Sequence, residues 1–125
     1  MAKDDYYVIV FKVLTYLYAV LKGREIFEQF KYDKAIGKKD INEEYLLRVY
    51  AMMSDEGLIK QLTFERAWGQ DIIAFFDESE LMITPKGIQH LEENDKMKKV
   101  GQYLLKKADT IASLAISAGL SSVVR

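Results

Sequence analysis

The chain has 125 residues, half of them apolar and 12% aromatic, enough for one modest domain with an appendage and too few for two ordinary ones. With no cysteine and a single histidine, disulfides, thiolate catalysis and cysteine-ligated zinc are excluded, and a histidine-based metal site is disfavoured. Eighteen basic residues against nineteen acidic give a net charge of −1, which argues against gripping DNA by bulk electrostatics.

The opening Met1-Ala2-Lys3-Asp4-Asp5 is acidic where a secretory leader would be basic. The longest apolar stretches, 6 to 21 and 111 to 124, fall short of the roughly 20 apolar residues of a membrane span. The expectation is a cytoplasmic protein with no membrane partner. Charge is unevenly spread: residues 96 to 125 carry six basic side chains and only Asp109 as an acid, whereas 40 to 57 carry five acids against Arg48.

In chain order, residues 5 to 22 read as a helix, with Tyr7, Phe11, Leu14, Tyr18 and Leu21 at three- and four-residue spacing and Gly23 as the stop. Residues 24 to 39 offer Ile26, Phe27, Phe30, Tyr32 and Ile36 as buried side chains, with one short helix over 33 to 36. Asp40 with Glu43 fits a capping box, and Asn42 is a competing cap. From there Tyr45, Leu46, Val49, Tyr50 and Met53 form an apolar helical face that ends at Gly57.

Residues 58 to 83 alternate like a β-hairpin. Its tip is Arg66-Ala67-Trp68-Gly69-Gln70, Ile72 to Phe76 form the return strand, Asp77-Glu78-Ser79-Glu80 is a solvated acidic turn, and Leu81-Met82-Ile83 is a short third strand. Thr84 then caps a helix with Pro85 in its first turn, where the missing N–H costs nothing. That helix runs to about Asn94 and buries Ile88 and Leu91. A last helix starts near Asp95, and its apolar seam of Met97, Val100, Leu104, Ile111, Leu114 and Ala118 persists over about three heptads.

Helix, hairpin, helix is the second half of a winged helix. The fold expected is α+β, a winged helix (winged helix-turn-helix) over residues 5–94 with an additional C-terminal helix over 95–125. Four pieces carry a closer resemblance: Asp5-Tyr6-Tyr7 with its apolar helix, Asn42-Glu43-Glu44-Tyr45, Glu56-Gly57-Leu58-Ile59, and Ile83-Thr84-Pro85-Lys86-Gly87-Ile88 continuing to Leu91-Glu92-Glu93-Asn94. Over residues 41 to 104 the chain resembles the YjcQ-like winged-helix family, small proteins of bacterial genomes and their prophages. The resemblance implies the fold and little about activity.

Enzyme signatures are absent. The seven glycines are isolated, so no phosphate loop forms, and no serine sits in a nucleophile elbow. His90 reads as a partly exposed helix residue without a catalytic partner. Asp77, Glu78 and Glu80 fit no calcium loop. A non-enzyme without metal or cofactor is expected.

The leading functional reading is a small DNA-binding or regulatory protein that holds double-stranded DNA. The helix ending at Gly57 would enter the major groove and the hairpin tip would reach the flanking backbone. Its contact set is Asn42, Arg48, Lys60, Arg66 and Trp68. Glu43 and Glu44 count against it, although acids in a first turn also stabilise a helix by about 0.3–1 kcal/mol. The alternative is a winged helix that has lost DNA binding and recognises a protein. The tail has three fates, taken in this order: pairing with a second subunit through its seam, packing on its own domain, or lying in a membrane interface.

Overall fold

A computed structural model describes residues 5–60, 64–66, 72–74 and 77–120, with backbone only for 5, 64–66 and 72–74. The described chain is α+β and mostly helical, with six helices and two small antiparallel sheets. At its centre runs α1 (Asp5–Leu21). Ile9, Val10, Phe11, Val13, Leu14, Tyr16, Leu17 and Ala19 are all buried, so α1 is apolar on nearly every side along its middle. A helix of that kind has to be enclosed rather than laid on a surface. The enclosing elements are α2 (Gln29–Ile36), α3 (Glu43–Asp55), α4 (Pro85–Glu93), α5 (Asp95–Lys106), α6 (Thr110–Ser117) and the strand β4 (Met82–Ile83). The single stripe expected on α1 is therefore too narrow, and its ends are open: Tyr7 and Leu21 are exposed.

Strand β1 (Ile59–Lys60) pairs with β4, Ile59 opposite Ile83 and Lys60 opposite Met82. Between them, β2 (Phe64–Arg66) pairs with β3 (Ile72–Ala74), Phe64 opposite Ala74 and Arg66 opposite Ile72. The expected tip residues Ala67 to Gln70, Trp68 included, and the expected return-strand residues Phe75 and Phe76 lie outside the described residues.

Local chemistry explains where the helices begin and end. Thr84 is extended, and its hydroxyl accepts from Gly87 N–H at 2.9 Å, with Pro85 following in the first turn. Asn42, not Asp40, caps α3, accepting from Tyr45 N–H at 3.0 Å, because Asp40 is taken up in a one-turn 3-10 helix over Lys38–Asp40. The helix after Gly23 is longer than expected, starting at Gln29 behind the Glu28 cap. Two of the core residues expected over 24 to 39 face outward instead: Ile26, just before the helix, is 73% and Phe30 70% exposed.

The last helix is two helices, which corrects the single amphipathic helix expected from residue 95. Ala108 takes a left-handed backbone (φ 56°), Asp109 caps α6 through Ile111 N–H at 3.0 Å, and Lys12 of α1 holds the Asp109 carboxylate at 3.3 Å. The proposed subunit seam is corrected with it. Met97, Val100, Leu104, Ile111 and Ala118 are buried inside this chain and Leu114 packs against the same core, because α5 and α6 cover α1. At the far end, Lys22 donates to the Ala118 carbonyl at 2.8 Å and ties the end of α6 to α1. Five of those six residues are therefore occupied within this chain, and Leu114 alone keeps part of its surface.

Among the described residues no helix is long and apolar enough to cross a membrane.

Candidate interaction surface

The outward side of α3 is the most distinctive surface of the molecule. Leu46, Val49, Tyr50 and Met53 fasten the helix to the core. Gly57, with φ 77°, turns the chain sharply out of it, and Leu58 N–H closes back onto the Met53 carbonyl at 2.9 Å. That leaves Glu44, Tyr45, Arg48, Met52 and Asp55 facing solvent, with Glu43 and Glu56 at the two ends. Tyr45 departs from the expected buried face: it is 38% exposed, and Met52 is 50% exposed. With Arg48 between them they form one row at i, i+3 and i+7.

Of the expected DNA-contact set, the structure describes the side chains of Asn42, Arg48 and Lys60. Asn42 spends its side-chain oxygen on the helix cap. Arg48 is paired with Glu44 at 2.9 Å, one turn back on the same helix. Such an exposed pair adds only about 0.3–0.5 kcal/mol to stability, yet it offsets the one cation on this face. Lys60 is exposed on β1 just past the helix, and Arg66 sits on β2 opposite Ile72, its side chain outside the described set. Trp68 also lies outside it.

Beneath the face runs a polar network that sequence reasoning missed. Tyr50 donates to Glu78 at 2.7 Å, and the fully buried Tyr32 hydroxyl lies 2.5 Å from that of Tyr50. Because the Tyr50 proton goes to the carboxylate, Tyr32 is the donor between the two tyrosines. The other Glu78 oxygen accepts from Lys38 and from Gln29, each at 2.8 Å, and Lys38 also lies 3.4 Å from Asp33. Glu78 is thus a largely buried hub joining α2, the following 3-10 turn and α3, while Asp77, Ser79 and Glu80 of the expected solvated acidic turn are exposed. The available signal was tyrosine rather than phenylalanine at positions 32 and 50, since a buried hydroxyl requires a partner.

The hub gives the fold an alkaline limit. Burial pushes the Tyr32 and Tyr50 phenols above their usual value near 10, Tyr50 far above it, with Glu78 reinforcing both. Lys38 is also raised, its burial outweighed by Glu78 and Asp33. Groups raised in the folded state give stability that is fully present below their unfolded values and drains away above them. Urea melts are expected to show constant stability from pH 8 to about 10. Above that it should fall by up to about 1.4 kcal/mol per pH unit for each buried phenol. An unchanged midpoint at pH 11 would refute the coupling.

His90 is half-buried on α4, its pKa lowered by burial against a smaller opposing pull from Glu56. No group of histidine, aspartate and glutamate among the described residues is arranged to hold a metal ion.

The model of the YjcQ protein family matches residues 11–109, from within α1 to the cap of α6. The chain belongs to the YjcQ family. The match covers α3, the Glu78 hub and all of α5, so the surfaces described here fall within the family region. No curated protein and no solved structure matched this YjcQ-family chain.

Proposed function

We propose that the chain is a non-enzymatic regulatory protein on a winged-helix scaffold, and that the outward face of α3 docks a protein partner. The winged-helix reading is supported by the order α3, four short strands, α4, in which β1 and β4 bracket the β2–β3 hairpin.

One observation carries the choice of partner. The exposed side of α3 presents Glu43, Glu44, Asp55 and Glu56 around Tyr45 and Met52, and its only cation is already paired. Brought into a DNA groove, those carboxylates would meet phosphates of the same sign, at a cost in binding free energy. An exposed aromatic and a methionine ringed by charge are instead the composition of a protein interface, where both residue types are enriched at the centre. The complementary partner is a protein with a basic rim and an apolar centre. The DNA-reading alternative retains Lys60 and Arg66 beside the strands but loses Asn42 to capping and Arg48 to Glu44.

A photo-crosslinking residue at position 52, introduced in the native host cell, is expected to give one adduct of defined mass. Tyr45→Ala should abolish that adduct, and the same probe at exposed position 39 should not form it. No adduct at position 52, or one indifferent to Tyr45, overturns the docking reading. The DNA alternative has its own test: Glu43→Gln with Glu44→Gln should leave duplex affinity unchanged, and tighter binding would mean that α3 does enter the groove.

A further inference from the structure

The positive counterpart of α3 lies on α5. The buried side of α5 is Met97, Val100, Gly101 and Leu104, so its opposite side carries Lys98, Lys99, Gln102 and Lys106 outward. Two more lysines flank this row and are turned onto rings: Lys96 lies 5.1 Å from the Tyr7 centroid and Lys107 lies 5.3 Å from that of Tyr103. Lys98, Lys99 and Lys106 have no ion-pair or ring partner among the described residues. The one acid on the helix, Asp95, stands at its first position, and Asp109 beyond the other end is held by Lys12. Lys98, Lys99, Gln102, Tyr103 and Lys106 line a shallow depression of about 340 Å³.

We infer that the outer face of α5 binds the phosphate backbone of double-stranded nucleic acid, independently of sequence and apart from the α3 surface. Charge complementarity carries the choice. Lys99 and Lys106 are one heptad apart, about 10 Å along the helix, and each strand of a duplex offers a phosphate about every 3.4 Å of its axis. Three unpaired ammonium groups spread over that length therefore span about three phosphate steps of one strand without rearranging the helix.

Other occupants fit less well. A membrane surface requires apolar side chains to insert, and those of α5 that are fully buried already face the core. Single strands are held by stacking bases on open aromatic rings, and Tyr103 is already covered by Lys107. Gln102, half-buried in the middle of the row, adds a neutral side chain between the cations.

The inference is independent of the α3 docking reading, and its test touches none of the α3 residues. Fluorescence anisotropy on a labelled mixed-sequence duplex of about 24 base pairs is measured with the full chain between 50 and 200 mM salt. Neutralising three phosphates predicts a log–log salt slope near about −2.7. The triple variant Lys98→Gln, Lys99→Gln, Lys106→Gln should bind at least tenfold more weakly with a flattened slope, at an unchanged melting temperature. The corresponding triple arginine variant should restore both affinity and slope. Overturning results are no duplex binding at 50 mM salt, equal affinity in the glutamine variant, or binding of phosphatidylserine vesicles or polyglutamate in place of the duplex.

Discussion

Gly87→Ala is expected to destabilise the protein by about 3 kcal/mol, the upper part of the range for forced overpacking, and to lower the melting temperature by roughly 10 °C or more. A Cβ at position 87 would sit 2.3 Å from the Leu58 carbonyl oxygen and 2.8 Å from Ile83 Cγ1. Neither neighbour is free to yield. The Leu58 carbonyl accepts from Thr84 N–H at 3.1 Å, Thr84 donates its hydroxyl proton to the Gly57 carbonyl, and Ile83 is paired opposite Ile59. The start of α4 is thus pressed onto the turn that leaves α3, and glycine is required there for closeness. Gly57→Ala is the informative comparison. Its backbone is left-handed, but the nearest atom to an added Cβ is the flexible Lys86 side chain at 3.5 Å. Its cost is expected to be about 1 kcal/mol, from conformation alone. Thermal melts of the two variants should therefore separate clearly. A Gly87→Ala protein as stable as Gly57→Ala would mean that α4 does not approach the turn this closely.

That junction was legible in the sequence because its chemistry is local. Glu56-Gly57-Leu58 stops a helix and Thr84-Pro85 starts one whatever surrounds them, and both stand where expected. The break between α5 and α6 was not legible, for the opposite reason. Met97, Val100, Leu104, Ile111, Leu114 and Ala118 keep helical spacing across it, and nothing in Lys107-Ala108-Asp109 demands a stop as glycine or proline would. Asp109 caps α6 with one carboxylate oxygen while Lys12 of α1 holds the other. The fate of the seam was hidden in α1. Val10, Phe11, Val13, Leu14, Tyr16 and Leu17 surround that helix with apolar side chains, which leaves α5 and α6 a surface to cover within the same chain. On the candidate surface, the acidity of α3 could be read directly, but its orientation could not. Tyr45 looked like core because aromatic residues at helical spacing usually are, and Arg48 looked available until its partner Glu44 was placed beside it.

Glu78→Ala is expected to cost about 3 kcal/mol, as removal of one member of a buried charged network generally does. The loss has two parts. Lys38 keeps only the longer contact with Asp33, and the Tyr50 hydroxyl, buried with Tyr32, loses the acceptor of its proton. Glu78→Gln separates the parts, since an amide oxygen can still accept from Tyr50 or from Lys38 without the charge; about half the loss is expected. A double-mutant cycle with Tyr50→Phe should then give a coupling energy of about 1 kcal/mol or more, because the residues touch. Additive losses would reduce Glu78 to a surface carboxylate with no role in holding the helix. The consequence reaches the proposed interface. Tyr50 projects inward from the same helix that shows Tyr45 and Met52 outward, so the hub sets the pose of the exposed row against α2. In the crosslinking experiment, Glu78→Ala should therefore weaken the adduct at position 52 under conditions where the chain remains folded. An adduct of full intensity in a folded Glu78→Ala protein would show that the α3 face keeps its pose without the hub.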